Sequence, residues 1–399
     1  MTPERAVIVG ASHAGAQLAA NLRREGWSGE VVLIGDEGGL PYHRPPLSKG
    51  YLAGKNGLDD LLIRGADFYE KQHIRLLNAT VEAIHRSAKR VSLSTGDTLT
   101  YTKLALCTGA RARRLPTPGV DLPGIHYLRT AADVELIRAA ATPGRRVVIV
   151  GGGYIGLETA ASLCSLGMNV TVLEATERVL ERVTAPEVSA FYTRIHNGEG
   201  VEIRTHALVE AFFGNGGVQE VVLADGEPIP ADLVIVGVGV VPNTELASAA
   251  GLSVDNGIVI DDQARTSDPD IVAAGDCTSH TMARYGSRIR LESVSSAGEQ
   301  AKIAAATICG KHSAIAALPW FWSDQYDLKL QIAGLNAGYD EVLLSGDPSR
   351  ERDFSCFYFR ESELIAADCV NRPRDFMSSK RAISQQLRVD RSELLAGSI

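Results

Sequence analysis

Two stretches of the chain carry small residues at the same spacing, each between an apolar run and a helix-like segment. A second apolar run follows each segment and ends in a carboxylate. The residues are Gly10, Ser12, Gly15 and Asp36 in the first copy and Gly151, Gly153, Gly156 and Glu174 in the second. This order of strand, glycine turn, helix, strand and acid is typical of a dinucleotide-binding unit.

Each position in the pattern has a physical task. The first glycine allows a tight turn, the second lets the backbone approach a pyrophosphate, and the third lets the helix pack against the strand. The helix N-terminus attracts the pyrophosphate through its free N–H groups and its dipole, and the carboxylate accepts hydrogen bonds from ribose hydroxyls. Ser12 replaces the middle glycine of the first copy. Because serine is small, we expect a shifted backbone approach there and not a lost site.

The acids and one further glycine indicate which dinucleotide each copy binds. A carboxylate at Glu174 repels a 2′-phosphate, so the second copy is predicted to bind NAD(H), although Arg178 nearby leaves some NADPH use open. An enzyme with two such units usually holds FAD in one and a nicotinamide in the other, which assigns FAD to the first copy. A buried run that ends in Gly275 and Asp276 supports FAD, because these residues can hold its ribityl chain and pyrophosphate.

The composition limits the remaining function classes. The 399 residues suggest two or three domains at roughly 150 residues each. The chain has 40 Lys and Arg against 48 Asp and Glu, a net charge of −8, which disfavours nucleic-acid binding. No apolar stretch approaches the ~18 residues of a transmembrane helix, and the N-terminal segment lacks a signal-peptide pattern. We therefore expect a cytoplasmic protein that contacts no membrane.

The cysteines are scattered along the chain. The six positions are Cys107, Cys164, Cys277, Cys309, Cys356 and Cys369. No CxxC pair occurs among them, which disfavours a thioredoxin-like redox motif and a short-spaced zinc site. We predict no metal site.

Several segments outside the glycine motifs resemble one known family. They read PYHRPPLSKGYL (41–52), LCTGAR (106–111), YLRT (127–130), GGGYIGLE (151–158), VGVGVVPN (236–243), TSDPDIVAAGDC (266–277) and PWFWSDQYDLKLQIAGL (319–335). The family comprises the FAD-dependent, NADH-using ferredoxin reductases of bacterial oxygenase systems. RPPLSK together with WFWSDQ is the specific part of the match, since many flavoprotein disulfide reductases share the glycine motifs.

The resemblance implies an α/β, glutathione-reductase-like fold with two Rossmann-type dinucleotide-binding domains and a C-terminal α/β domain. The implied ranges are a discontinuous FAD-binding domain (1–113 and 243–315), an NAD-binding domain (114–242) and a C-terminal flavin-covering domain (316–399). The residue pattern agrees with this division. Pro and Gly flank a short helical stretch within 113–144, and alternation within 316–370 predicts a small antiparallel sheet.

The resemblance also implies roles for particular residues. Lys49 is implied to lie beside the flavin N5 with Glu158 as its partner, because a positive charge there stabilises the anionic reduced flavin. Trp322 is implied to lie at the flavin edge where a ferredoxin docks, although Trp322 and Trp320 share a strand face and such an aromatic pair at a domain junction more often belongs to the core. The implied FAD contacts are Gly10, Ser12, Ala14, Gly15, Asp36, Arg44, Lys49, Val81, Arg129, Asp276 and Val294. The implied NAD contacts are Gly151, Gly153, Tyr154, Ile155, Gly156, Glu174, Arg182 and Gly237, with Glu292 near the nicotinamide or the flavin edge.

The positions of the cysteines bear on the electron acceptor. Disulfide reductases of this fold carry a cysteine pair near the first glycine motif, and related peroxidases and oxidases carry a single redox cysteine there. The corresponding loop here reads PPLSKGYL, and no cysteine precedes Cys107. The resemblance therefore implies transfer to an outside one-electron carrier, a 2Fe-2S ferredoxin. The alternatives are an NADH oxidase or rubredoxin-type reductase, and a non-catalytic NADH-sensing flavoprotein.

An acidic ferredoxin needs a local basic patch on a protein of net charge −8, because exposed charges act only over short distances in salt. The candidates are Arg284, Arg288, Arg290, Lys302, Lys329, Arg372, Arg374, Lys380 and Arg381. Our hypothesis is that Lys302 and the group at 372–381 form this patch.

Overall fold

A computed structural model describes residues 4–395. Residues 1–3 and 396–399, which the predicted domain ranges include, lie outside the described residues. The helices of the described part are α1 (His13–Glu25), α2 (Ala66–Lys71), α3 (Ala131–Ala140), α4 (Tyr154–Ser165), α5 (Pro186–Gly198), α6 (Glu245–Ala249), α7 (Val294–Ile308), α8 (Pro373–Gln385) and α9 (Arg391–Leu395). Short 3₁₀ turns occur at Pro45–Ser48, Asp59–Leu61 and Ala283–Tyr285.

The strands are numbered in chain order. They are β1 (Arg5–Val9), β2 (Glu30–Gly35), β3 (Ile74–Asn78), β4 (Val81–His85), β5 (Arg90–Leu93), β6 (Thr98–Thr100), β7 (Lys103–Leu106), β8 (Ala110–Ala112), β9 (Ile125–Tyr127), β10 (Arg146–Val150), β11 (Asn169–Leu173), β12 (Glu202–Arg204), β13 (Val209–Phe213), β14 (Glu220–Leu223), β15 (Pro228–Pro230), β16 (Leu233–Val236), β17 (Val240–Pro242), β18 (Ile258–Ile260), β19 (Ile271–Ala273), β20 (Thr278–Met282), β21 (Ser287–Ile289), β22 (Trp320–Gln325), β23 (Leu328–Gly334), β24 (Glu341–Ser345), β25 (Phe354–Arg360) and β26 (Glu363–Val370).

The residues divide into two contact units. The first unit runs up to His43 and continues through Asp59–Arg111 and Val241–Pro319. Its main sheet is parallel, in the order β19-β7-β1-β2-β3, and the apolar side chains of β1, β2, β7 and β19 are buried, as is typical of a parallel sheet. Helices α1 and α7 pack against each other beside this sheet. Antiparallel strands β4–β6 form a separate small sheet.

The second unit comprises Arg44–Leu58, Ala112–Val240 and the described residues 320–395. It holds a second parallel sheet, in the order β12-β11-β10-β16-β9, with α4 against β10 and β11. The same unit contains the antiparallel sheet β22-β23-β26-β25-β24, against which α8 packs. The prediction of a small antiparallel sheet within 316–370 is confirmed, as is the short helix within 113–144.

The first unit contains most of the residues assigned to the FAD-binding domain, whereas the second combines most of 114–242 with the region after 316. The division into three domains stays a prediction. Among the helices within residues 4–395, none has both the length and the apolar character needed to cross a membrane.

Candidate functional site

The first glycine motif forms a tight turn between β1 and α1. Gly10 has a φ of +109°, and a Cβ atom there would lie 2.1 Å from the Cys107 carbonyl oxygen. A Cβ atom on Gly15 would lie 1.9 Å from the Gly10 carbonyl oxygen. Ser12, by contrast, is the N-cap residue of α1 with φ −122° and ψ −154°, an extended conformation that any residue can adopt. Serine therefore fits at this position without strain.

A cavity of about 460 Å³ opens beside this turn in the first unit, a size within the usual range of small-molecule sites. Gly10, Asp36 and Val81, which were predicted to contact FAD, line it. The other lining residues are Val9, Ile34, Gly35, Ala79, Thr80, Glu82, Thr108, Asn243, Glu245, Leu246 and Ala249. The exposed Asp36 directly follows β2, so the acid stands where the motif predicts a ribose partner.

Thr108 and Asn243 also line this cavity, although neither is among the predicted site residues. Thr108 Oγ1 donates to the Asn243 carbonyl at 2.6 Å, and Asn243 Nδ2 donates to the Thr108 carbonyl at 2.8 Å. Since 135 positions separate the two residues, no local pattern could pair them. Their reciprocal bonds hold the two chain segments together at the cavity.

The remaining predicted FAD contacts of the first unit lie outside the cavity lining. Ala14 approaches Gly275, where an added Cβ would lie 3.0 Å from the Ala14 Cβ, so Gly275 allows α1 to pack closely. Asp276 follows it and is half-buried, and Val294 begins α7. Glu292 is exposed and pairs with Arg290 at 2.6 Å.

The second glycine motif repeats the same construction between β10 and α4. Gly151 has a φ of +111°, and a Cβ atom there would lie 2.5 Å from the Gly237 carbonyl oxygen. A Cβ atom on Gly156 would lie 2.0 Å from the Gly151 carbonyl oxygen. Gly153 is the N-cap residue of α4. The turn thus exposes the first N–H groups of α4, as an anion site requires.

Glu174 stands at the end of β11 and is bonded to the glycine turn. Its Oε2 accepts from the Gly152 N–H at 2.7 Å, and its Oε1 accepts from the N–H and hydroxyl of Thr176 at 2.9 and 3.0 Å. The sequence left open whether Arg178 assists NADPH binding. Its guanidinium donates to the Thr184 carbonyl at 2.9 Å and the Ser189 hydroxyl at 2.6 Å, so it is directed into the protein. Arg182 is exposed.

The RPPLSK segment contains the 3₁₀ turn at Pro45–Ser48, which contacts α4. Lys49 Nζ donates to Glu158 Oε2 at 2.6 Å, and the Ser48 hydroxyl donates to the same oxygen at 2.5 Å. The Glu158 side chain is 2% exposed. A buried carboxylate needs such charge-assisted donors, because desolvation otherwise opposes its charge. Lys49 and Glu158 thus form the ion pair that the resemblance implied.

Two arginines lie in the same unit as this ion pair. Arg44 precedes the 3₁₀ turn, and its Nη1 donates to the Arg129 carbonyl at 2.7 Å. The structure therefore brings these two predicted FAD contacts together. Their hydrogen bond joins the RPPLSK segment to the residues just before α3.

Strand β22 presents aromatic rings on both faces. Trp320 and Trp322 stack with ring centroids 5.5 Å apart, and Lys380 lies 4.7 Å from the Trp320 ring centre. On the other face Phe321 packs against Tyr154, the first residue of α4, with ring centroids 4.8 Å apart. Burial raises the pKa of the Tyr154 hydroxyl. Ile155, the next residue, is 44% exposed, as a residue beside a bound ligand could be.

Three buried polar residues of the same unit, Ser323, Gln325 and His196, were not among the predicted site residues. Ser323 Oγ donates to Glu158 Oε1 at 2.6 Å. Strand alternation in WFWSDQ could have shown that Ser323 and Gln325 share a face. No sequence signal points to His196, since 129 positions separate it from Gln325.

Some of the basic residues predicted to form the docking patch are paired with an acid, and others are exposed. Arg288 pairs with Asp255, and Arg372 pairs with Asp353. Lys302 on α7 is exposed, and so are Arg374 and Arg381 on α8. The last two flank the exposed Met377 on one helix face.

Comparison with known proteins identifies the class. A family profile described as pyridine nucleotide-disulphide oxidoreductase matches residues 4–301, and a reductase C-terminal profile matches residues 320–398. The chain belongs to the pyridine nucleotide-disulphide oxidoreductase family. The predicted fold class, the oxidoreductase activity and the FAD and NAD(P)H cofactors are thereby confirmed.

The similar proteins narrow the class further. Putidaredoxin reductase of Pseudomonas putida is 47% identical over 394 residues, covering 97% of this chain and 93% of that protein. A ferredoxin–NAD(P)+ reductase of Sphingomonas is 45% identical, covering 96% of this chain and 94% of that protein. Among solved structures, the covalent putidaredoxin reductase–putidaredoxin complex matches with a TM-score of 0.95 at 45% identity, covering 99% of both chains. The predicted resemblance to this family of reductases is confirmed.

Proposed function

We propose that this protein is an NADH-dependent ferredoxin reductase that passes electrons through FAD to a 2Fe-2S ferredoxin serving a bacterial oxygenase. The RPPLSK loop carries the proposal, because it brings a lysine and not a cysteine to Glu158. Similarity to a putidaredoxin reductase and a ferredoxin–NAD(P)+ reductase supports it. NADH, FAD and reduced thiols fit the cytoplasm, which we propose as the location.

The reaction must balance a two-electron donor against a one-electron acceptor. One NADH and two oxidised ferredoxins give NAD+, two reduced ferredoxins and one proton. Bound FAD would accept two electrons from NADH and pass them on one at a time. The protein supplies binding, orientation and electrostatics for this exchange.

We assign the following tasks to the chain's own residues. The cavity lined by Gly10, Asp36 and Val81 receives the adenosine end of FAD. The turn at Gly151 and the carboxylate of Glu174 receive NADH. Lys49 carries a positive charge beside the flavin, Glu158 holds its ammonium group in place, and Trp322 stands where the ferredoxin docks. Arg44, Arg129, Asp276 and Val294 complete the proposed FAD contacts, and Tyr154, Ile155, Arg182 and Gly237 the proposed NAD contacts.

The test uses the purified FAD-bound protein. Anaerobic NADH should bleach the oxidised flavin absorbance rapidly, and little O₂ should be consumed in air. Cytochrome c should then be reduced quickly only after a 2Fe-2S ferredoxin is added. O₂ consumption equal to NADH consumption, or faster transfer to rubredoxin than to ferredoxin, would replace the proposal with the corresponding enzyme. Slow bleaching with a long-lived charge-transfer complex would indicate an NADH-sensing flavoprotein instead.

A further inference from the structure

One face of β22 is polar although it is buried. Ser323 and Gln325 alternate along the strand and are 0% and 1% exposed. They share the face of Phe321, which packs on Tyr154 of α4, because side chains two apart on a strand point the same way. Glu158 lies one helical turn after Tyr154 and meets Ser323. Two polar side chains inside an otherwise apolar layer require hydrogen-bond partners.

Those partners form one continuous chain. The Ser323 hydroxyl lies 2.6 Å from Glu158 Oε1, and Gln325 Nε2 lies 3.2 Å from the Ser323 hydroxyl. Gln325 Oε1 lies 2.8 Å from Nε2 of His196 on α5. His196 Nδ1 lies 3.0 Å from the hydroxyl of Tyr326, which follows β22. The chain therefore links α4, β22 and α5.

The Glu158 carboxylate determines the direction of every bond. A carboxylate only accepts, so the Ser323 hydroxyl must donate to it and must accept from the Gln325 amide. The Gln325 carbonyl then accepts from His196 Nε2–H, which leaves Nδ1 to accept from Tyr326. Burial lowers the pKa of His196 to about 4, which agrees with this neutral imidazole. All the donors point toward Glu158, and bonds aligned in this way polarise and strengthen one another.

The opposite oxygen of Glu158 accepts from Lys49 and Ser48. The carboxylate is thus held from two sides, by the loop on one and by the buried chain on the other. Ser162 Oγ also donates to the Ser48 carbonyl at 2.7 Å, which ties the loop to α4. Loss of the hydrogen bonds from Ser323 onward would leave Glu158 with partners at one oxygen only. The orientation of the Glu158 carboxylate would then be less restricted.

We propose that Ser323, Gln325 and His196 are positioning residues that hold the Glu158 carboxylate in one orientation, and through it Lys49, and so set the reduction potential of the bound flavin. The proposal rests on the proposed function, which places Lys49 beside the flavin.

The test is the midpoint potential of bound FAD, measured with a chemical reductant and a reference dye in the absence of NADH and ferredoxin. Ser323→Ala removes the bond to Glu158 with little change in volume, and Gln325→Met interrupts the chain one residue further away. Each variant should shift the potential in the same direction as Glu158→Gln. We expect about a tenfold change in the reduction equilibrium constant, which is about 30 mV for a two-electron couple.

A double-mutant cycle shows whether the effect passes through Glu158. Ser323→Ala should cause no further shift in a Glu158→Gln background. Additive shifts would overturn the proposal, and so would an unchanged potential in Ser323→Ala or in Glu158→Gln. The matched control is Thr193→Val on α5, which removes a hydroxyl bonded only within its own helix and should leave the potential unchanged.

FAD content and melting temperature are measured for each variant, so that a loss of folding is recognised. If the two substitutions give non-additive potential shifts but the protein does not reduce ferredoxin, the proposed function is rejected and this inference stands. If the protein reduces ferredoxin but the potential shifts are additive, this inference is rejected and the proposed function stands.

Discussion

Glu174 accepts hydrogen bonds at both carboxylate oxygens, so its charge is fixed in position at the end of β11. That charge should repel a 2′-phosphate, while Arg178 is bonded away from it. We predict that the wild-type protein strongly prefers NADH. Glu174→Gln should lower the ratio of kcat/KM for NADH to that for NADPH by about tenfold, equal to about 1.4 kcal/mol.

The measurement is steady-state ferricyanide reduction with each nucleotide. Glu177→Gln, an exposed neighbour on the same loop, provides the control and should keep the wild-type ratio. An unchanged ratio in Glu174→Gln would show that nucleotide choice is made elsewhere.

Asp368 on β26 is a fully buried acid whose carboxylate accepts a hydrogen bond from Tyr358. Burial raises the pKa of Asp368 to about 7, although the Tyr358 bond opposes the rise. An unfolded aspartate titrates near pH ~4, so between this pH and 7 the folded chain binds more protons than the unfolded chain. The contribution of Asp368 to stability is therefore complete below pH ~4 and is lost as the pH rises to about 7.

Asp368→Asn stays neutral at every pH, so it should melt at a higher temperature than the wild type above pH 7. The two pKa values set an upper bound of about 4 kcal/mol on this gain. Below pH ~4, where the acid is neutral in both the folded and the unfolded wild type, the two proteins should melt alike. Thermal melts by circular dichroism check this, with exposed Asp225→Asn as the control, and an equal difference at both pH values would contradict it.

At the scale of elements, the glycine turns depend on backbone conformation and not on glycine at every motif position. Gly10→Ala would place a Cβ atom 2.1 Å from the Cys107 carbonyl, so this variant should lose most of its FAD. Ser12→Gly should retain FAD within about twofold, because Ser12 already has extended backbone angles.

The flavin-to-protein absorbance ratio after purification measures this difference. Gly26→Ala at the other end of α1 is the control, since its positive φ strains an alanine but no atom lies within 4 Å. It should cost about 1 kcal/mol of stability and keep FAD. Equal FAD loss in Gly10→Ala and Gly26→Ala would show that α1 stability alone matters.

Helix α8 carries two exposed arginines on one face beside Met377. If this face forms part of the predicted basic patch, Arg374→Glu with Arg381→Glu should raise the KM for ferredoxin about tenfold. The NADH–ferricyanide rate should stay unchanged, because ferricyanide does not need the docking surface. The effect should shrink at high salt.

The control for this pair is Arg350→Glu, a basic side chain of the same unit that is 86% exposed. It changes the net charge in the same sense without altering α8. A similar rise in KM in the control would attribute the effect to overall charge, and a fall in both activities of the α8 variant would reject the patch.

Local features of the fold could be predicted from the sequence, because they depend on neighbours in the chain. The glycine turns, the strands before them and the acids after them are such features. Lys49 and Glu158 lie 109 positions apart, and only the family resemblance paired them. The series of hydrogen bonds from Ser323 to His196 was not predicted, because these bonds form only after β22, α4 and α5 have packed together.

At the scale of the whole molecule, none of the six cysteines is exposed. Four are buried and two are half-buried, and burial raises the pKa of every one of these thiols. Since the thiolate is the reactive form, they should react slowly with alkylating agents. Treatment of the FAD-bound protein with iodoacetamide at pH 7 should leave ferredoxin reduction within about twofold of the untreated rate.

Mass spectrometry after treatment counts the modified thiols, and alkylation of the denatured chain provides the reference for complete labelling. Loss of activity in proportion to one modified cysteine would point to a thiol in the electron path and would contradict the proposed mechanism.

Helix α4 begins at the glycine turn proposed for NADH and carries Glu158 about 7 Å further along its axis. One rigid element thus joins a nucleotide site to the ion pair of Lys49. If NAD+ binding and flavin reduction affect each other through this helix, thermodynamic linkage makes the two effects equal. Whatever factor NAD+ binding introduces into the reduction equilibrium of the flavin, reduction of the flavin introduces the same factor into the affinity for NAD+. The helix would then make release of the spent nucleotide depend on the redox state of the protein.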